Sequence, residues 1–379
     1  MSEARVESSI EACFGGLYDA RVQGRCDHKL IDIIIIAVCA MITGAESWVE
    51  VETFGKEKED WLATLLELPN GIPSHDTMGR VFAVLDAEAF QECFTRWVER
   101  VYHVTKGQVV AIDGKRVRRS HDKVIGKDAI HMVSAWASAN GIVLGQRKVD
   151  DKSNEITAIP ELLRMLDVSG CIVTIDAMGC QKKIAQRICD EKADYVLSVK
   201  DNQGKLHQDI QEWFAYGDQV NFANMESSYY ETTNKGHGRI EIRRCWAVSD
   251  QLAFEHIRHH EGWAGLESIV RVQRERRQGD NSQMETAFYI SSLANDAKVI
   301  LEATRSHWAI ENSLHWVLDV TFREDVSRIR TGNSPQNMTV LRHLTLNILK
   351  KDTSKGSLRN KRYKAALNTT FLEQLLDQV

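Results

Sequence analysis

Three acidic residues stand where an acid is costly. Asp113 closes the apolar run Val109-Val110-Ala111-Ile112, and Asp176 closes Cys171-Ile172-Val173-Thr174-Ile175. Glu311 lies far downstream, in His307-Trp308-Ala309-Ile310-Glu311-Asn312-Ser313-Leu314-His315-Trp316. On a helical wheel of about 100° per residue, Thr304, His307, Trp308, Leu314, His315, Leu318 and Phe322 fall within about 60° of Glu311. Glu311 is therefore expected on the stripe that faces the core. A carboxylate at a strand end or on a buried stripe needs positive charge beside it. His307 or His315, four residues away on either side, would supply it as a simple pair. A zinc site from His307, Glu311 and His315 would need further ligands, because residues spread over two turns do not easily meet one ion. A site shared by Asp113, Asp176 and Glu311 suits hard oxygen-loving ions, two Mg²⁺ or Mn²⁺ about 4 Å apart across a phosphodiester. One ion would activate a water or a 3′-hydroxyl, and the other would stabilise the leaving oxygen.

The surrounding elements must bring these residues together. At 379 residues the chain is expected to form two or three structural units. Residues 1–97 read as an N-terminal helical domain that is a candidate for DNA binding. It comprises a buried helix over Leu30–Ile42, a second over Trp61–Leu68, a third opened by Ser74 as N-cap, and a fourth over Ala87–Val101. The segment 74–85 suits either a recognition helix or a packing helix, the latter favoured. Beyond it the pattern becomes β-β-β-α-β-α-β: Val109–Asp113, Ile130–Ser138, an Asn140-Gly141 hairpin signal, Ile142–Val149, a helix capped by Ser153 and running to Leu166 with Pro160 inside, Cys171–Asp176, Gln181–Glu191 and Ala193–Val199. That order is the plan of an RNase H-like α/β domain, in which the first strand sits centrally beside the fourth. Asp113 and Asp176 would then be neighbours despite a separation of 63 residues in sequence. Residues 98–200 and 287–345 are assigned to this catalytic domain, 201–286 to a β-rich insertion, and 346–379 to a basic helical tail. Within the insertion, Arg239–Arg243, Trp246–Val248, Ser268–Val272 and Thr286–Ile290 read as strands.

With 48 Lys and Arg against 53 Asp and Glu, the net charge of −5 argues weakly against a nucleic-acid partner. The distribution points the other way. Lys115, Arg116, Arg118 and Arg119 follow Asp113; Arg271, Arg274, Arg276 and Arg277 form a second cluster; Lys350, Lys351, Lys355, Arg359, Lys361, Arg362 and Lys364 form a third. The eight cysteines form no CxxC pair and read as reduced thiols of a cytosolic protein. The longest apolar run, Leu30–Ile42, is too short to span a bilayer and contains Asp32, so no membrane association is expected.

Five stretches carry a resemblance: Ala111-Ile112-Asp113-Gly114-Lys115; Lys152-Ser153-Asn154-Glu155-Ile156-Thr157-Ala158-Ile159-Pro160-Glu161-Leu162-Leu163; Asp176-Ala177-Met178-Gly179-Cys180-Gln181; Gly236-His237-Gly238-Arg239; and His307-Trp308 through Leu318-Asp319-Val320 to Glu324-Asp325. In order, over about residues 8–375, the chain resembles DDE-type insertion-sequence transposases, in the branch of H-repeat-associated proteins found beside Rhs elements. The resemblance implies that Asp113, Asp176 and Glu311 bind two Mg²⁺ or Mn²⁺ ions. It also implies that the enzyme cleaves the terminal inverted repeats of its element and joins the 3′-hydroxyl to target DNA. A homodimer or larger assembly on DNA, in the bacterial cytoplasm and associated with the nucleoid, is expected. The wider group often carries Tyr-x2-Arg-x3-Glu-x6-Lys around its glutamate; here Thr304, His307 and Leu318 stand at the Tyr, Arg and Lys positions. The candidate DNA contacts are Lys115, Arg116, Arg118, Arg119, Lys200, His237, Arg239 and His307, the last if protonated. Asp319 is a candidate auxiliary ligand, and Trp246 or Trp263 a candidate base-stacking residue. Two rivals remain, a DNA-binding relic that has lost transposition and a structure-selective nuclease of the same fold.

Overall fold

The segment Leu30-Ile31-Asp32-Ile33-Ile34-Ile35-Ile36 has no polar face to give to water, and it forms a central helix, α1 (Leu30–Thr43), whose side chains from Asp32 to Ile42 are almost all buried. The computed structural model describes residues 10–22, 24, 26–121, 128–150, 154–236 and 238–378. Ser47 and Glu50 form a capping box that starts α2 (Trp48–Glu57). Ser74 accepts a hydrogen bond from the Thr77 N–H and starts α3 (His75–Val84), and Asp86 caps α4 (Ala87–Val101). The helix expected over Trp61–Leu68 is a single turn, Glu59–Leu62. In α3, Met78, Val81 and Phe82 point inward, and Trp48 stacks on Phe82 with centroids 4.7 Å apart. Its exposed side carries His75, Asp76 and Arg80, with His75 bonded to Glu52. That face carries Arg80 as its one arginine or lysine, and the inward face packs through Met78, Val81 and Phe82.

The RNase H-like plan is present. Strands β1 (Val109–Arg116), β2 (His131–Ala137) and β3 (Ile142–Lys148) form an antiparallel meander, with Gly141 at φ 66° in the β2–β3 turn. Helix α5 (Glu155–Arg164), strand β4 (Ile172–Ile175), helix α6 (Lys182–Asp190) and strand β5 (Asp194–Val199) follow. Within this part the strands lie in the order β3-β2-β1-β4-β5, so the first strand is central and parallel to the fourth. Asn154 caps α5 by accepting from the Ile156 N–H at 3.1 Å, while Ser153, the expected cap, lies outside the described residues. The helix ends at Arg164, two residues short of the expected Leu166.

The segment assigned to an insertion opens with α7 (Gly204–Gln219) and then continues the same sheet. Strands β6 (Ser227–Gly236), β7 (Arg239–Val248), β8 (Ser268–Gln278) and β9 (Asn281–Ser291) complete nine strands in the order β3-β2-β1-β4-β5-β9-β8-β7-β6. β9 pairs antiparallel with β5, with Leu197 opposite Ile290, so the boundary at 286/287 runs through a strand. The strands are longer than the apolar signal because their outer halves are charged. Arg244 on β7 bridges Glu231 on β6 at 2.9 Å and Glu275 on β8 at 3.0 Å, so cross-strand ion pairs replace apolar contacts there.

Helix α8 (Ala297–Ile310) crosses the sheet and runs through a π turn, Glu311–His315, into α9 (Trp316–Val320). Helix α10 (Ser334–Lys351) is buried from Ser334 to Leu349, and α11 (Leu358–Leu367) and α12 (Thr369–Asp377) end the chain against the N-terminal helices. The third basic cluster is partly turned inward. Arg362 donates to the Met41 carbonyl that ends α1 at 3.0 Å, Lys361 pairs with Asp352 at 3.0 Å, and Lys350 lies 5.7 Å over the Trp136 ring. Among the described residues no single helix is long and apolar enough to cross a membrane.

Candidate metal centre

Strand pairing places the two aspartates. β1 and β4 run parallel with Ile112 opposite Ile175, so Asp113 and Asp176 occupy the next matched positions where β4 ends. Matched residues on adjacent strands are about 5 Å apart and share a face. Asp176 Oδ1 accepts from the Met178 and Gly179 N–H groups at 3.1 and 3.3 Å, and Asp113 Oδ1 accepts from the Gly114 N–H at 2.9 Å. Each aspartate thus keeps its second oxygen for another partner. Burial pushes the Asp113 carboxyl up to about 7, against the Gly114 N–H, and the charges of Asp176, Glu155 and Glu311 add to the effect. Burial likewise raises Asp176, with the Gly179 N–H opposing and Glu155 adding.

Glu311 does not face the core as the wheel predicts. Its side chain is 63% exposed and stands on the rim of the site, and Trp308 is 52% exposed beside it. The inward positions are taken by Thr304, Ile310, Leu314, His315 and Leu318. A wheel of 100° per residue holds only for an α-helix, and here the chain widens into a π turn at the residue concerned. The two flanking histidines separate. His307 Nδ1 meets Thr174 Oγ1 on β4 at 3.1 Å, and burial pushes its pKa down to about 4, which removes it as a charged phosphate contact near neutral pH. His315 Nδ1 lies 3.2 Å from Glu311 Oε2 and 3.5 Å from Asp113 Oδ2. Burial lowers the His315 pKa, against the opposing pull of Glu311.

A cavity of about 410 Å³ opens onto this cluster. Its wall includes Asp113, Asp176, Glu311, Lys200, His307 and Trp308. Lys200 is exposed there and partly offsets the upward shift of Asp176. Lys115 does not reach the cavity wall. Its ammonium pairs with Asp319 and lies 2.6 Å from Glu324 Oε2, and Glu324 is 1% exposed. Burial alone would lower the Lys115 pKa, but Glu324 and Asp319 outweigh it and hold the ammonium charged. A cation spent on two internal carboxylates is not available to a phosphate, and Asp319 is engaged as its partner. Arg116, Arg118 and Arg119 are exposed, with Arg118 3.4 Å from Asp325. Arg239 pairs with Glu241 at 2.9 Å at the start of β7, away from the cavity wall, and His237 lies outside the described residues. Trp263 is buried, and Trp246 has Arg271 at 4.2 Å and Tyr229 at 5.0 Å, so neither ring is open to a base.

Residues 104–348 match the family described as the transposase DDE domain, and residues 11–98 match the family described as DDE_Tnp_1-associated. The chain belongs to the DDE transposase family. It is 45% identical to the putative transposase YncI of Escherichia coli O157:H7 over 364 residues, 94% of this chain and 92% of that one. It is 40% identical to the H repeat-associated putative transposase YhhI of Escherichia coli strain K12, over 94% of this chain and 95% of the relative. A piggyBac transposase solved by cryo-EM in a synaptic complex with hairpin DNA aligns at 10% identity and a TM-score of 0.42, over 98% of this chain and 79% of that one.

Three further groups at this cavity escape the pattern of strand-end carboxylates. His315 is the first. Glu155 is the second: it is buried at the start of α5, pairs with His131 at 2.8 Å, and its charge raises both aspartates. A Cβ at position 114 would lie 2.1 Å from the Glu155 carboxylate and 2.7 Å from the His131 ring, which explains glycine after Asp113. The third is Trp308, whose ring has the Arg274 guanidinium 4.9 Å above it, in a pocket shared with Arg243 and Arg305. The exposed aromatic is thus on the glutamate helix rather than on β7. The sequence signal was the tryptophan's own position three residues before Glu311.

Proposed function

We propose that the protein is an active DNA transposase that cleaves the ends of its insertion sequence and joins the freed 3′-hydroxyl to target DNA, using two divalent metal ions. The observation that carries this is the convergence of Asp113, Asp176 and Glu311 on one cavity from two matched strands and a crossing helix. The residues fit a divalent pair. Three carboxylates face a space in which Lys200 is a cationic wall residue, and burial, with the charges of Asp176, Glu155 and Glu311 adding to it, raises the Asp113 pKa to about 7. Two Mg²⁺ or Mn²⁺ ions bound there would make a water or 3′-hydroxyl nucleophilic and neutralise the leaving oxygen. The protein's own part is to orient. Backbone N–H groups fix one oxygen of each aspartate, the π turn presents Glu311 from the opposite side, and Lys200 offers a charge to the phosphate. The partners are the terminal inverted repeats and target DNA, engaged by a homodimer or larger assembly in the cytoplasm, on nucleoid DNA.

The test is cleavage and joining of DNA carrying the element's own ends. Wild-type protein with Mn²⁺ is expected to nick the ends and form joined product, and EDTA or Asp176→Asn to abolish both. Cleavage that survives Asp176→Asn would remove this carboxylate from the mechanism. Cleavage without joining would identify a nuclease, and end binding without cleavage a relic.

Trp308 and Arg274 together offer a flat cationic platform at the cavity mouth. Stacking of a base on such a platform contributes about 1–3 kcal/mol. Trp308→Ala is expected to weaken binding of a single-stranded or pre-nicked end about tenfold while leaving the melting temperature within a few degrees, since the ring is half exposed. Equal affinity in a fluorescence anisotropy titration would dismiss the platform.

A further inference from the structure

We infer that the His315 imidazole is itself a metal ligand, so that one divalent ion is held by Asp113, Glu311 and His315 Nδ1. The inference rests on the two-ion function proposed above and adds a nitrogen donor to it. Nδ1 is 3.2 Å from Glu311 Oε2 and 3.5 Å from Asp113 Oδ2, and donor atoms of the three residues all lie within 4.8 Å of one another. Neighbouring donors in an octahedral shell with bonds of about 2.1 Å are separated by √2 times that, about 3 Å. The two separations from Nδ1 are therefore close to those a shared ion would impose.

Hydrogen bonding explains only part of this arrangement. Nδ1 carries at most one hydrogen, which serves one carboxylate and leaves the other facing a nitrogen with nothing to give. The ring has no other outlet, since Nε2 is buried without a partner and His315 is 5% exposed. Its neighbours Leu314, Val317 and Leu318 are buried, which fixes the ring's direction towards the two acids. A cation between the three groups satisfies all of them at once. His307 is not part of this cluster of donor atoms, and its Nδ1 instead meets Thr174 Oγ1 at 3.1 Å.

An imidazole donor changes which ion the site prefers. Mg²⁺ takes nearly all-oxygen shells, whereas Mn²⁺ and the later first-row ions accept nitrogen more readily. Mn²⁺ is expected to bind at least tenfold more tightly than Mg²⁺, and His315→Asn to remove most of that difference by weakening Mn²⁺ binding.

The deciding measurement is the electron spin-echo spectrum of the full chain loaded with Mn²⁺, with and without ¹⁵N-labelled histidine. A directly bound imidazole nitrogen is expected in wild type and in His307→Asn, and is expected to vanish in His315→Asn. The wild-type spectrum needs no variant, so a misfolded substitution cannot obscure the answer. Mn²⁺ binding that Asp113→Asn abolishes, but that shows no nitrogen coupling in wild type, would overturn the ligand assignment and leave the carboxylate site standing. Mn²⁺ binding untouched by Asp113→Asn, or no Mn²⁺ binding in wild type, would overturn both.

Discussion

Asp113→Asn is expected to lower strand cleavage at least about a thousandfold and, in the same protein, to raise the melting temperature of the metal-free form at pH 8. The first effect follows from the loss of an ion ligand. Lewis-acid stabilisation by a bound ion is worth several kcal/mol, and about 4 kcal/mol corresponds to a thousandfold in rate. The second follows from electrostatics without the ion. The Asp113 carboxyl is pushed up to about 7 in the folded protein from an ordinary 3.8. A group whose pKa is raised by folding contributes its full share of stability below its unfolded value, near pH 4, and that share is lost as pH rises through the folded value, near pH 7. At pH 8 the metal-free fold therefore bears an ionised, poorly solvated carboxylate beside Asp176 and Glu311, which costs on the order of 2–4 kcal/mol. Asparagine removes that cost without changing the shape. Differential scanning fluorimetry at pH 5 and pH 8 checks the sign. The stabilisation by asparagine should be larger at pH 8, and Mn²⁺ should raise the melting temperature of wild type but hardly that of the variant. A variant less stable than wild type at pH 8 would show that the acidic cluster is not strained by its own charge.

The aspartates and the strands that carry them were legible because strand signals are local. Each apolar run ends in its acid, and the β-β-β-α-β-α-β order leaves few ways to pack, so Ile112 opposite Ile175 follows almost from the pattern. What failed to show was everything set by contacts between distant segments. Glu311 and His315 were both on the expected stripe, but a π turn cannot be seen in a wheel that assumes α geometry. His307 and His315 are equivalent in sequence spacing, and only the Thr174 hydroxyl, 133 residues away, separates their roles. The alternating Arg239–Arg243 at the start of β7 was legible, but the outer halves of β8 and β9, beyond Val272 and before Thr286, are charged or polar, and their length rests on cross-strand pairs such as Arg244 with Glu275 that no local pattern records. Basic residues misled for the same reason. A lysine two residues after a strand-end aspartate and a lysine in a basic tail look alike in sequence, yet Lys115 and Lys361 both turn inward to carboxylates.

Lys115→Met is expected to destabilise the protein by about 3–5 kcal/mol, the largest stability effect among the residues around the site. The lysine holds Asp319 and Glu324 together, and Glu324 is almost wholly enclosed, with Arg342 as its other ionic partner at 3.4 Å. Replacing the ammonium by a thioether keeps the stem but strands a buried carboxylate on one long contact. The damage should reach the metal centre, because Lys115 lies on β1 two residues after Asp113 and ties that strand to α9 through Asp319. Chemical denaturation of wild type, Lys115→Met, Glu324→Gln and the double variant closes a thermodynamic cycle. The two losses should be non-additive: once Glu324→Gln has removed the enclosed carboxylate, Lys115→Met should cost less than it does in wild type, whereas Glu324→Gln itself leaves the buried Arg342 without its ionic partner. A phosphate-binding lysine predicts the opposite set of results: unchanged stability, weaker DNA binding, and a binding constant less sensitive to salt by about one ion. The cycle therefore decides between a lysine that builds the site and a lysine that touches DNA, and the enclosure of Glu324 favours the first.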